Sequence, residues 1–124
     1  MGVTTSQRIK DALERQDLDG FIGEFDTEAV WLGIRRPDGA AFDCRSRDEI
    51  RSVFEDHIAL GRSGHPEVVA ETDEQMVVDM HPEPPDDDWP GLHHVLTFRA
   101  GKVVRMEDFA DRESALTSLE PGPS

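Results

Sequence analysis

Between Gly91 and Leu116 the chain reads GLHHVLTFRAGKVVRMEDFADRESAL, and no other stretch constrains the fold as much. Leu92 to Phe98 is rich in β-formers, Arg99-Ala100-Gly101-Lys102 is a turn, and Val103 to Phe109 runs back as a second strand. Asp111 is a good helix N-cap. Glu113 to Leu119 follows as a short helix with Leu116 and Leu119 on one face. The segment is a long hairpin closed by a C-terminal helix.

The rest of the chain supplies helices first and strands later. Thr4 or Thr5 can cap a helix over Ser6 to Arg15, where Ile9, Ala12 and Leu13 make one apolar face. Asp17-Leu18-Asp19-Gly20 breaks it, and a second short helical turn carries Phe21, Ile22 and Phe25. Ala29 to Ile34 is a β-branched and aromatic strand. Arg36-Pro37-Asp38-Gly39 signals a turn, and Ala40 to Arg45 is a short strand. Ser46 with Glu49 is a capping box. It opens a helix to about Leu60 whose apolar face holds Ile50, Val53, Phe54, His57 and Ile58, and Gly61 stops it. Glu67 to Glu71 and Gln75 to Met80 are further strands. His81 to Pro90, HPEPPDDDWP, reads as a loop because its prolines oppose regular pairing. His65 and His81, each before a proline, read as loop residues too. This order indicates a single α+β domain over residues 1–124, with an ordered core from about 5 to 119. A curved antiparallel or mixed sheet wraps the N-terminal helices as a cone with a pocket at one end.

The formal net charge is -14 over 124 residues. It argues against a nucleic-acid phosphate groove and against an anionic membrane surface, both of which attract basic patches. No apolar run approaches the roughly 20 residues of a membrane span. The N-terminal MGVTTSQRIKDALERQ lacks the apolar core of a signal peptide. Cys44 is the only cysteine, so no intramolecular disulfide and no cysteine metal cluster can form, and a reducing cytoplasm fits. A lone cysteine reads as a small buried hydrophobe.

In residue order the chain resembles the nuclear-transport-factor-2-like superfamily, in its SnoaL-like branch. The matching stretches are DLDGFIGEFDTEAVW (Asp17 to Trp31), SRDEIRSVFEDH (Ser46 to His57), EQMVVDM (Glu74 to Met80) and LTFRAGKVVRMEDFADRESAL (Leu96 to Leu116). The resemblance implies the cone fold, a homodimer through the sheet's outer face, and a cofactor-independent isomerase, cyclase or hydrolase acting on an apolar, polyketide- or terpenoid-like molecule. It equally implies a non-catalytic ligand-binding or dimerisation domain, because the superfamily contains both. Ketosteroid isomerases place a carboxylate base where this chain has Gly33 and a tyrosine donor near Ile9, and this chain has no tyrosine. Their second oxyanion donor falls at about His94. Epoxide hydrolases of the fold use two carboxylates, near Asp79 and Asp108 here, but their arginine falls at Val77. Polyketide cyclases use an aspartate with histidines, which His94 and Asp108 resemble.

Strand alternation selects the candidate site. Leu92, His94, Leu96 and Phe98 share the more apolar face of their strand. Val104, Met106 and Asp108 share a face of the next. A three-residue turn at Ala100-Gly101-Lys102 would set His94 opposite Asp108, Leu96 opposite Met106 and Phe98 opposite Val104. A two-residue turn would put the faces out of phase. In register, His94 and Asp108 form an acid/base pair, or equally a satisfied structural hydrogen bond, with Asp79 as a reserve carboxylate. Trp31, Gly33, Phe54, His57, Leu96, Phe98 and Met106 are the expected pocket lining, and Trp89 a lid. His93 points the other way, so it cannot share an ion with His94. The Asp86-Asp87-Asp88 run lacks EF-hand spacing, and no metal or cofactor is expected.

Overall fold

The structure, a computed structural model, describes residues 4–33, 43–59, 63–83 and 92–119. Helices α1 (Thr5–Glu14) and α2 (Leu18–Gly23) come first, then strands β1 (Phe25–Leu32) and β2 (Asp43–Cys44) and helix α3 (Arg47–Ala59). Strands β3 (Ser63–Glu71), β4 (Gln75–Glu83), β5 (Leu92–Arg99) and β6 (Lys102–Phe109) follow, and helix α4 (Arg112–Thr117) closes the order. A side-chain oxygen meets an otherwise open amide at the start of each helix. Thr4 accepts from Gln7 N–H at 3.2 Å, Asp17 from Gly20 at 3.0 Å, Ser46 from Glu49 at 3.2 Å and Asp111 from Ser114 at 2.7 Å. No helix among the described residues is long and apolar enough to cross a membrane.

The strands form one curved, open sheet in the order β2-β1-β6-β5-β4-β3. The pairs are antiparallel except β1 with β6, which is parallel. The last strand therefore lies beside the first. On one side, α1, α2 and α3 bury the main core, in which Ile9, Ile22, Phe25, Ile50, Met76, Leu96 and Met106 are almost fully enclosed. Phe21 meets Phe25 and Phe54 edge to face, and Trp31 stacks on Phe54 at 5.1 Å and 17°. On the other side α4 lays Ala115 over Val77 and Val95, with Phe109 and Leu119 alongside.

Several sequence expectations are corrected here. Phe25 opens β1 rather than riding on the second helix, because α2 ends at Gly23 and Phe25 pairs with Val103. Ala115, not Leu116, turns inward from α4: positions 115 and 119 are four apart and share a face, and Leu116 is 39% exposed. His65 and His81 lie in paired strands, opposite one another, not in loops. Pro66 is tolerated because β3 is an edge strand. The turn at Arg36 to Gly39, the helix stop at Gly61, the lid residue Trp89 and the residues from 120 onward lie outside the described residues.

The β5–β6 register depends on a feature with no local sequence signature. Arg99 pairs directly with Lys102, so the turn has two residues, Ala100 and Gly101, with φ of 52° and 79°. Alone, that turn would set His94 opposite Glu107. Between Thr97↔Arg105 and Phe98↔Val103 the register shifts by one, leaving Val104 as the extra residue of a bulge. The slip restores the phase. His94 pairs with Asp108 and Leu96 with Met106, as expected, while Phe98 pairs with Val103 rather than Val104. Both turn residues have positive φ, which suits Asn-Gly better than Ala-Gly. Ala100→Asn is expected to stabilise the fold by about 0.5–1 kcal/mol, read as a higher urea midpoint with an unchanged slope.

Candidate functional site

Asp108, on the central strand β6, is the hub of the buried polar groups. Its Oδ1 lies 2.6 Å from His94 Nδ1 on β5 and accepts a 2.7 Å hydrogen bond from Trp31 Nε1 on β1. His94 is 6% exposed, Asp108 9% and Trp31 4%. An indole N–H can only donate, so Oδ1 is an acceptor toward Trp31. An ionised carboxylate oxygen accepts from both neighbours, which puts the imidazole proton on Nδ1. The lone pair is then on Nε2, which has no hydrogen-bond partner among the described residues. The arrangement is a histidine oriented by a carboxylate, itself oriented by an indole.

The walls follow from the same strands. Trp31 touches the His94 ring edge to face at a centroid distance of 6.0 Å. Cys44 pairs with Trp31 across β1 and β2 and is buried. Burial pushes its thiol up to about 11, and the charges of Glu49, Asp108 and Asp43 push the same way. It is therefore no nucleophile. We expect Cys44 to resist a thiol reagent at pH 8 in the folded protein and to react within minutes once unfolded, which absorbance at two urea concentrations checks.

Trp31, Leu96, Phe98 and Met106 are where alternation put them, on the inner side, and all four are part of the packed core. Phe54 is half-buried against Trp31. Gly33 is buried just after β1, and its N–H donates to Asp43 Oδ1 at 3.3 Å. The side chain of His57 lies outside the described residues. A cleft of about 860 Å3 opens elsewhere, lined by Thr5, Glu74, Thr97, Arg99 and Arg105 among others, and does not include His94 or Asp108.

Asp79 does not join the pair, which corrects its placement as a reserve carboxylate. It is on the opposite face of the sheet because it pairs with His93, not His94. Its Oδ1 lies 2.6 Å from His93 Nδ1, and its Oδ2 accepts from Arg112 Nε at 2.8 Å. Arg112 is the first residue of α4, so this fully buried carboxylate ties the helix to the sheet. Burial alone would raise the Asp79 carboxyl. The hydrogen bonds from His93 and Arg112 outweigh it and hold the group below its ordinary 3.8. A carboxyl lowered in the folded state adds stability above its unfolded pKa and loses it as the pH falls through the folded one. Stability should thus fall below about pH 4, and Asp79→Asn should flatten that fall while costing roughly 1–3 kcal/mol at pH 7, both measured by urea midpoints across pH.

The signal for these networks was partly visible. The His94–Asp108 pair follows from alternation. The Trp31 bond does not, because it needs the parallel β1–β6 pairing of residues 77 positions apart. Arg112 carried no signal at all, since its partner is fixed only by where α4 docks.

A protein from Burkholderia pseudomallei K96243, described as NTF2-like and of unknown function, superimposes at a TM-score of 0.60 with 20% identity over 91% of this chain and 92% of that one. This is the nuclear-transport-factor-2-like fold. A putative polyketide cyclase from Sinorhizobium meliloti superimposes at a TM-score of 0.58, with 19% identity over 85% of this chain and 93% of that one. A SnoaL-like protein of unknown function from Burkholderia thailandensis E264 gives 0.60, with 15% identity over 84% and 89%. No family model and no curated protein matches the sequence. At these identities the likeness carries the fold and no activity.

Proposed function

We propose that this chain is a small-molecule protein that works by cofactor-free acid–base chemistry, with His94 Nε2 as the proton-transfer atom. Asp108 would orient the imidazole and stabilise its charged form, and Trp31 would hold Asp108. The observation that carries the reading is the Trp31–Asp108–His94 chain, with His94 Nε2 unpartnered among the described residues. A substrate fitting apolar surroundings, with a proton made acidic by a neighbouring carbonyl, suits a neutral imidazole base. Isomerase and cyclase steps begin this way, and in a hydrolase step the same base would take its proton from the attacking water. The structural likeness to a putative polyketide cyclase supports the same class. A second copy of the chain is the proposed partner, on the part of the outer sheet face that α4 leaves open; a monomeric mass in solution contradicts that.

A second reading, a non-catalytic ligand-binding domain, is favoured by one observation. Trp31, Leu96 and Met106 are 4%, 1% and 1% exposed, so side chains fill that part of the inner face. Ligand-observed NMR with a panel of cyclic ketones and polyaromatic enols separates the readings. The catalytic one expects a bound compound to turn over, and His94→Gln to lower kcat about 10²–10⁴-fold with binding retained. A compound that binds beside His94 and is never converted supports the binding domain. Turnover that ignores His94→Gln contradicts the catalytic assignment.

A further inference from the structure

The outer face of the sheet carries a second cluster of ionisable groups, separate from the His94 site. Five positions share this face by cross-strand register: His65 opposite His81, Glu67 opposite Asp79, and Asp79 opposite His93. Three of the five histidines of the chain thus fall on neighbouring positions of β3, β4 and β5. Donor atoms of Glu67, Asp79 and His81 all lie within 4.8 Å of one another. His81 Nε2 is 3.4 Å from Glu67 Oε1. Ligands of one transition-metal ion sit about 2.0–2.2 Å from it, so their donors are separated by roughly 3–4.4 Å. Small rotamer shifts of Glu67 and His81, both about half exposed, close the difference.

We propose that this patch is a binding site for a divalent transition-metal ion of the zinc type, with Glu67, Asp79 and His81 as ligands. The donor set decides the class of ion. Imidazole with carboxylates suits Zn²⁺, Ni²⁺ or Cu²⁺, whereas Mg²⁺ and Ca²⁺ prefer oxygen alone. His93 already holds Asp79 Oδ1 in the manner of a second partner that orients a ligating carboxylate. The position also attracts a cation in the structure itself. Arg112 Nη2 lies 2.6 Å from Asp79 Oδ2 and 3.4 Å from Glu67 Oε1, between the same two carboxylates. Arg112 is half exposed on a six-residue helix and can yield its place to an ion of higher charge. Metal binding would then compete with the Arg112 contact and loosen the first turn of α4.

Calorimetric titration of the whole chain with ZnCl2 at pH 7, in excess Mg²⁺ to fill all-oxygen acidic patches, tests the site. One Zn²⁺ per chain is expected. His81→Ala and Glu67→Gln should each weaken binding about 10–100-fold, and NMR should show Zn²⁺ shifting the ring of His81 but not of His94. Circular dichroism of both variants guards against misfolding, and either folded variant suffices. No binding to the wild-type chain at millimolar Zn²⁺ overturns the proposal. So does binding of equal strength in a folded His81→Ala or Glu67→Gln variant, which marks an adventitious surface ion only.

Discussion

A buried carboxylate is costly unless donors surround it, and Asp108 is the one the inner face must accommodate. Its two donors come from strands far apart in sequence: Trp31 on β1 and His94 on β5. Neither contact can form unless β6 sits between those strands in the right phase. The hydrogen-bonded hub therefore ties the first strand to the last hairpin at the centre of the sheet. Apolar burial supplies most of the stabilisation of the core, but it tolerates many registers. A buried charge tolerates one, because a one-residue slip would leave it unpaired.

The device that sets this phase is the bulge at Val104. The two-residue turn at Ala100-Gly101 suits the tight hairpin, yet alone it would carry Glu107 to His94 and leave Asp108 facing away. One extra residue on β6 corrects the phase for everything beyond it. Val103 stays buried on the near side and Met106 and Asp108 on the far side. Bulges are frequent beside functional sites for this reason: they re-aim side chains without rebuilding the sheet.

Much of the architecture was legible in the sequence, and the gaps have identifiable causes. The helix starts at Ser46 and Asp111 were readable outright, and the one at Thr4 as one of two candidates, because capping is local chemistry. The inner and outer faces of β5 were readable because alternation is local too. The His94–Asp108 pairing was legible only conditionally, since turn length and bulge compensate each other and neither shows in composition. His65 and His81 were read as loop residues because of the adjoining prolines. They are strand residues because β3 is an edge strand, which tolerates a proline, and His81 pairs with His65 on it. The placement of Asp79 failed for a different reason: alternation along β4 does not say which face is inner, and both faces are covered, one by α1 to α3 and the other by α4. Two adjacent histidines, His93 and His94, thereby serve two separate carboxylates on opposite sides of one sheet.

The central claim is that Asp108 fixes the tautomer of His94 and so frees Nε2 for chemistry. Imidazole ¹⁵N chemical shifts at neutral pH report it directly. The account predicts that His94 carries its proton on Nδ1, with a bare Nε2, in the wild-type chain, and that this preference is lost in Asp108→Asn. A His94 protonated on Nε2, or one whose nitrogen shifts are the same in both proteins, would contradict it.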